Sequence, residues 1–176
     1  LEERFKHGEM VTADSIQFPD SLKYKTLKLG RTVYGGGGIM PDVFIPIDTT
    51  RFTMYHRKVV AQGIMNKVSV QYIEKNRTNL KRQYPAFDKF LHQFTVDDTL
   101  LKLILDAAEA EKIVFDEQQY EKSKALMALQ LKALIARDLW SVNEYYRIID
   151  SDNEALQAAL KILNTPGMYD KKLTNR

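Results

Sequence analysis

Turn-forming residues crowd into one end of this chain of 176 residues, and that asymmetry limits where long helices can form. Seven of the eight glycines lie before residue 64, and four of the five prolines lie before residue 90. Glycine and proline are both unfavourable in helix interiors, so long helices are expected only after about residue 50. The sequence therefore predicts a mainly α protein, with a small β and loop segment over residues 1–50 and a helical domain over residues 51–176.

The first segment contains two short apolar stretches separated by a turn signal. Leu22–Leu29 predicts a strand, Gly30 marks a turn, and Thr32–Tyr34 predicts a second short strand. Further along, Val43–Ile47 is a continuous apolar run that contains Pro46. Because proline cannot donate to a strand ladder, this run is predicted to be an edge strand or a strand about to end.

The second segment shows helical periodicity, which predicts about six helices. Phe87, Phe90, Leu91 and Phe94 recur at intervals of three and four residues, as on one face of a helix. The helix over 117–139 is predicted to be the longest. Its apolar residues occupy more than one face, so we expect it to lie centrally and to be covered from two sides. The tail after the last helix is expected to be loose.

Three helix starts carry the pattern of a capping box, in which a side chain at the helix start and another three residues later satisfy unpaired backbone N–H groups. The predicted boxes pair Asp116 with Gln119, Ser141 with Glu144, and Ser151 with Glu154. Apolar residues flank the first two boxes in the positions of a hydrophobic staple. These are the sharpest boundaries that the sequence provides.

Composition excludes several classes of protein. Lys and Arg number 26 against 23 Asp and Glu, which gives a net charge of +3, and apolar residues make up 44%. These values are ordinary for a globular protein and argue against a disordered or collagen-like chain. No apolar run approaches the roughly 20 residues of a membrane-spanning helix. The absence of cysteine removes disulfides, thiolate zinc sites and cysteine nucleophiles.

Charge is distributed unevenly along the helical segment. Residues 51–94 carry nine Lys and Arg against two acidic residues, whereas residues 95–176 carry eleven against fourteen. A basic helix could bind nucleic acid, but no recognised reading helix or stacking motif accompanies the charge. A solvated face, partly neutralised by the acidic half of the domain, is the favoured interpretation, and we expect no nucleic-acid partner.

No set of residues has the spacing of a catalytic or ligand site. The run Gly35–Gly38 lacks the helix and the Gly-Lys-Ser/Thr ending of a phosphate loop. His7, His56 and His92 are far apart and have no partner at metal-ligand spacing. The six serines lie in turn-like or helical contexts, and Ser123 beside a lysine is a poor nucleophile–base pair because helix neighbours point apart. The sequence thus predicts no catalytic residue, cofactor or metal in this chain.

A stretch of about twenty residues, Tyr24–Val43, resembles a motif late in the catalytic domain of the carboxy-terminal processing (tail-specific) serine peptidases. The combination of Gly-Arg with Gly-Gly-Ile-x-Pro-Asp carries the likeness. The helical region after residue 50 is similar to the C-terminal extension of some bacterial members. The positions that match the motif are Gly30, Arg31, Gly36, Gly37, Gly38, Pro41 and Asp42.

The resemblance implies a serine endopeptidase of the bacterial periplasm or cell envelope that cleaves proteins near their C-termini. Such enzymes use a serine nucleophile and a lysine base, and they carry a peptide-binding PDZ domain. The family's serine and lysine motifs precede the Gly-Arg motif and do not occur here, so no catalytic role transfers to this chain. The matching residues are expected to build a return of the chain across the α/β catalytic core.

The start of the chain, Leu1–Phe5, has the character of a helix interior, which predicts a piece of a longer protein. The expected partners are the upstream catalytic and PDZ domains and protein or peptide substrates. The helical domain would pack on the catalytic core, shape substrate access or mediate homo-oligomers, and the sequence leaves these open. The alternative is a stand-alone helical module that binds proteins without enzymatic activity.

Overall fold

The computed structural model describes residues 19–35 and 41–174. The chain divides into two compact units: Thr49–Asn153 forms one, and the described residues up to Asp48 and from Glu154 onward form the other. The fold is mainly α, as the sequence predicted, with one small antiparallel sheet near the N-terminal end. The predicted division at residue 50 into two domains stays a prediction.

The described part of the chain contains two strands and eight α-helices. The strands are β1 (Lys23–Lys25) and β2 (Thr32–Tyr34), paired antiparallel with Tyr24 opposite Val33. The helices, in chain order, are α1 (Met54–Ala61), α2 (Ile64–Gln83), α3 (Phe87–Gln93), α4 (Asp98–Ala110), α5 (Glu117–Leu139), α6 (Val142–Ile149), α7 (Glu154–Asn164) and α8 (Met168–Thr174).

Helix α5 is the centre of the Thr49–Asn153 unit. It packs against α1, α2 and α6, and α4 packs against α2. Met127, Leu131 and Ile135 are spaced by four residues on one face of α5 and are fully buried. Ala133 and Ala136, which lie on other sides of the helix, are fully buried as well, so the predicted two-sided burial is confirmed. The unit has one continuous core, to which all six of its helices contribute. Its largest fully buried apolar side chains are Phe90, Ile64, Ile73, Ile104, Met127, Leu131, Ile135, Ile148 and Val59.

The helix caps at the first two predicted boxes are confirmed: Asp116 caps α5 and Ser141 caps α6. The reciprocal bond of the first box is replaced, because the Gln119 side chain bonds to the Asp116 carboxylate and to the N–H of Tyr55. Asp116 accepts a hydrogen bond from the backbone N–H of Gln119 at 3.0 Å at the start of α5. Ser141 accepts from the N–H of Asn143 at 3.2 Å and donates to Glu144 at 2.6 Å. These bonds satisfy backbone donors that a helix start would otherwise leave unpaired.

The third capping box is wrong. Helix α7 begins at Glu154, so Ser151 lies too early to cap it. Ser151 belongs instead to a short 3-10 turn, and its hydroxyl donates to the carbonyl of Ile148 at 2.7 Å. The carbonyl of Ile148 at the end of α6, which also accepts the N–H of Asp150, takes that hydroxyl in a contact that the capping pattern does not reveal.

Two other local predictions are wrong. Val43–Ile47 forms no strand, because Pro46 lacks a donor and the described strands pair only with each other. The segment after Pro166 is not a loose tail, since Met168–Thr174 forms α8. Gly167 has a φ of 72°, and this left-handed conformation redirects the chain before a new helical turn begins.

Helix α4 ends in a Schellman motif that has lysine at the position where glycine is preferred. The N–H of Lys112 donates to the carbonyl of Glu109 at 2.8 Å, and that of Ile113 donates to Ala108 at 2.9 Å. Lys112 has a φ of 61°, in the left-handed region. A side chain with a Cβ atom in this region costs about 1–2 kcal/mol.

Lys112→Gly should therefore raise the free energy of unfolding by about 1 kcal/mol, measured by urea denaturation. Ala110→Gly is the matched control, because residue 110 has ordinary helical geometry at the end of α4. The control should lower the free energy of unfolding by about 0.5–1 kcal/mol. A loss of stability in both variants would contradict the interpretation of strain at Lys112.

Candidate functional site

The motif residues that the structure describes surround the turn between β1 and β2. Gly30 has a φ of 59°, which favours glycine, and its N–H donates to the carbonyl of Thr26 at 3.0 Å. Thr26 in turn donates its N–H to the carbonyl of Arg31 at 2.9 Å, and its hydroxyl accepts the N–H of Arg31 at 3.0 Å. The Gly-Arg pair therefore closes the hairpin turn.

Arg31 and Asp42, at the two ends of the motif, form an ion pair. The Arg31 side chain is largely buried, with 17% of its surface exposed, and Asp42 is partly exposed. The contact joins residues eleven positions apart, so it closes the segment that contains the glycine run. Pro41 is exposed, whereas Gly36, Gly37 and Gly38 lie outside the described residues.

One face of the hairpin is apolar and exposed. Tyr24 and Val33 are directly opposed across the strands, so their side chains lie on the same face, and they are 57% and 42% exposed. Leu27 and Leu29 in the turn are also exposed. Gly35 allows the Tyr24 ring to approach closely, since a Cβ atom there would lie 2.7 Å from the ring.

The two histidines that the structure describes, His56 and His92, make separate contacts. His56 is buried, its Nε2 lies 2.9 Å from Oε1 of Gln130, and its Nδ1 has no hydrogen-bond partner among the residues that the structure describes. His92 lies on the surface of α3, with Nδ1 2.7 Å from the carbonyl of Asp88, and His7 lies outside the described residues. Within residues 19–35 and 41–174, no group of three or more potential ligands could hold a metal ion.

Ser123 and Lys124 make separate contacts, consistent with the expectation that neighbours on a helix point apart. The Ser123 hydroxyl is fully buried and lies 2.6 Å from that of Thr53, while Lys124 forms an ion pair with Asp98 at 2.7 Å. The residues around Trp140 contribute to the core: Trp140 and Tyr145 pack against it, whereas Tyr146 is 56% exposed.

Gln119 joins the first turns of α1 and α5. Its Oε1 accepts the backbone N–H of Tyr55 at 2.7 Å, and its Nε2 donates to Oδ2 of Asp116 at 2.7 Å. Thr53, which caps α1, donates to the Gln119 carbonyl at 3.2 Å. These bonds set the position of α1 along α5.

A cavity of about 530 Å³ lies beside this junction. Apolar side chains from α1, α4 and the loop between α4 and α5 line it, and three charged residues complete its wall. Val114 is 82% exposed and Phe115 is 51% exposed, whereas Tyr55 and Ile113 are buried. The lining residues are Tyr55, Leu105, Asp106, Glu109, Lys112, Ile113, Val114 and Phe115.

Sequence reasoning did not identify this cavity. The available signal was three consecutive apolar residues, Ile113, Val114 and Phe115, between two predicted helices. Nothing in the sequence indicated that Lys112 adopts a left-handed conformation, because the usual marker for that conformation is glycine.

Burial affects the ionisation of the aromatic residues near the cavity. It raises the pKa of Tyr55, and the adjacent Tyr120 adds to the rise. Burial likewise raises the pKa of Tyr120, whose ring lies 6.4 Å from that of Tyr55 between centroids and perpendicular to it. Both hydroxyls are thus held in their neutral form, so neither is poised to act as a base near neutral pH.

Comparison with known proteins places a family match on the helical unit. Residues 55–141 are similar to a family of unknown function, DUF8443, and this stretch covers just under half of the chain. It runs from α1 to the residue that caps α6 and includes the whole cavity wall. Neither the curated proteins nor the solved structures that were searched gave a match. None of the described helices is both long and apolar enough to cross a membrane.

Replacing Gln119 by glutamate tests its role as a junction. Gln119→Glu keeps an acceptor for the Tyr55 N–H but puts a second carboxylate within hydrogen-bond distance of Asp116. We expect the free energy of unfolding at pH 7 to fall by about 1–3 kcal/mol, with recovery toward pH 4 as the carboxylate pair takes up a proton. Gln118→Glu, at an exposed site one residue earlier, should have little effect. Equal destabilisation in both variants would refute the assignment.

The raised pKa of Tyr55 predicts a loss of stability in alkali. The unfolded chain releases this proton near pH 10, whereas the folded chain retains it to higher pH, so wild-type stability falls as the pH rises above about 10. In Tyr55→Phe this contribution is absent, and the free energy of unfolding should decline less steeply between about pH 9.5 and 11. Urea denaturation across this range, referenced to pH 7, measures the slopes. Identical slopes would contradict the prediction.

Proposed function

We propose that this chain is the C-terminal part of a bacterial cell-envelope serine endopeptidase that cleaves proteins near their C-termini. In this proposal the catalytic serine and lysine and a PDZ domain belong to a preceding part of the protein. Residues 1–50 are the end of the catalytic core, and the helical region has a structural role. The observation that carries the proposal is the Arg31–Asp42 ion pair, which joins the Gly-Arg and Pro-Asp parts of the resembled motif.

The hairpin has the properties of a piece of a larger sheet. An isolated pair of strands is marginally stable in water and usually needs further strands or a packed face. Here the strands are three residues each, and the Tyr24 and Val33 side chains leave an apolar face exposed. A catalytic core that covers this face would bury the apolar surface and pair a strand edge.

The proposed structural role of the helical unit is consistent with the contacts of its histidines and buried serines. Among the described residues, its histidines are separated and its buried serines bond to backbone or neighbouring side chains. Packing on the core, shaping substrate access and mediating oligomers are the roles consistent with this arrangement. The match to a family of unknown function assigns no activity to it.

A second candidate function is a helical module that binds proteins without catalysis. The specific observation in its favour is the cavity whose wall exposes Val114 and Phe115. Exposed apolar side chains beside a concavity are typical of binding surfaces. The two candidate functions differ in what the gene encodes upstream of this chain. The peptidase proposal requires a hydrolase domain there, and the binding-module proposal does not.

The test uses this chain and the protein encoded by its complete open reading frame. We expect the chain alone to show no turnover of a fluorogenic peptide and the complete protein to be active. In the complete protein, Arg31→Gln should lower the free energy of unfolding by about 1–2 kcal/mol and reduce activity, because it removes a charge-assisted hydrogen bond to Asp42. Lys28→Gln, in the same turn and exposed, is the control.

Two results would overturn the proposal. One is an open reading frame without a hydrolase half. The other is turnover by the chain alone that a serine-directed inhibitor abolishes, since the predicted nucleophile lies elsewhere.

A further inference from the structure

We propose that the cavity between α1, α4 and the loop 111–116 binds a polypeptide segment that presents an apolar side chain flanked by Lys or Arg. This inference concerns the helical unit alone and does not depend on the peptidase proposal. It starts from a concavity of about 530 Å³, within the usual range for a binding pocket of roughly 300–1,000 Å³. That volume accommodates one or two large side chains, and not a folded domain.

The lining of the cavity is suited to an apolar side chain. Tyr55 and Ile113 line it and are buried, and Leu105 is partly buried. Val114 and Phe115 stand at its edge with most or about half of their surface in water. A ligand side chain would remove this apolar surface from water, and that transfer favours binding in proportion to the area covered.

The wall is formed before any ligand arrives. The Schellman motif holds Lys112 and directs Ile113 into the core, so that Val114 is turned outward. The Phe115 ring meets Tyr55 edge-on at 5.8 Å and Tyr120 at 5.7 Å between centroids. Because these groups are already ordered, a ligand does not have to bear the entropy of ordering them.

The charge around the cavity favours a basic partner. Residues 106–117 contain five acidic residues against Lys112, a local net charge of −4 in a chain of net charge +3. Lys67 and Lys102 pair with two of these acids, Glu111 at 2.9 Å and Asp106 at 2.6 Å, which leaves −2. Glu109 stands in the cavity wall with no ion pair among the described residues. Lysine or arginine beside the apolar side chain would complement this field, whereas phosphate groups would be repelled.

The binding test uses three fluorescein-labelled octapeptides and the purified chain. The first peptide has two central leucines between pairs of lysines, the second replaces lysine with glutamate, and the third replaces leucine with serine. We expect saturable binding of the first peptide with a Kd below about 1 mM, measured by fluorescence anisotropy at low salt. The second and third should bind at least about tenfold more weakly, and raising the ionic strength to about 0.15 M should weaken the first.

Matched variants separate the apolar contribution from the charge contribution. Val114→Ser should raise the Kd of the first peptide about tenfold, because the apolar contact is lost. Glu109→Gln should raise it about two- to threefold and reduce its salt dependence. The controls are Val142→Ser and Glu74→Gln, at exposed positions of α6 and α2 respectively, and both should leave the Kd unchanged. All four substitutions are at exposed sites, and urea denaturation verifies that each variant is folded.

Several outcomes would overturn the inference. They are absence of saturable binding by the first peptide, equal binding of the lysine and glutamate peptides, and controls that weaken binding as much as Val114→Ser. Concentration-dependent self-association that Val114→Ser abolishes would assign the cavity to a second copy of the chain instead. By contrast, NMR amide chemical-shift changes confined to Tyr55 and residues 105–117 on titration with the first peptide would support peptide binding in the cavity.

Discussion

Burial of a helix on two of its sides organises the Thr49–Asn153 unit. Helix α5 has fully buried residues around more than half of its circumference, so no single partner can cover it. Helices α1, α2 and α6 all pack against it, and α4 extends the core from α2. Each partner has a single apolar face and is stable only where that face meets the rest of the core. The core therefore forms only when the other helices enclose α5, and those helices are stabilised by packing against the core that α5 centres.

Polar contacts then decide how the helices are registered on α5. Apolar packing is tolerant of small shifts, whereas hydrogen bonds have restricted distances and angles. Gln119 bonds to the first turn of α1 and to Asp116, and Lys132 donates to the carbonyl of Leu91 at 2.7 Å near the end of α3. Burial lowers the pKa of Lys132, so this ammonium group is held at some cost against a helix end that favours a positive charge. Gln119 and Lys132 are on α5, and Asp116 is the residue that caps its start.

Sequence reasoning located most helices because periodicity and caps are local properties. The start of α5 at Asp116 and that of α6 at Ser141 could be predicted from residues within four positions. Ser151 satisfied the same local pattern and did something else, because a carbonyl at the end of α6 was within its reach. Val43–Ile47 had strand composition but no neighbouring strand among the described residues, and strand formation requires a partner that composition cannot supply.

The amino-acid order alone determined the helical class, the long central helix and the helix caps at Asp116 and Ser141, since each follows from side chains a few residues apart. It also marked Gly30 as a turn, because glycine populates left-handed backbone freely. Only the tertiary structure decided that Arg31 meets Asp42, that Gln119 joins α1 to α5, and that Lys112 bends the chain to leave Val114 exposed beside a cavity. These features depend on groups that are distant along the chain or on strain that the rest of the fold maintains, and neither leaves a local pattern in the sequence.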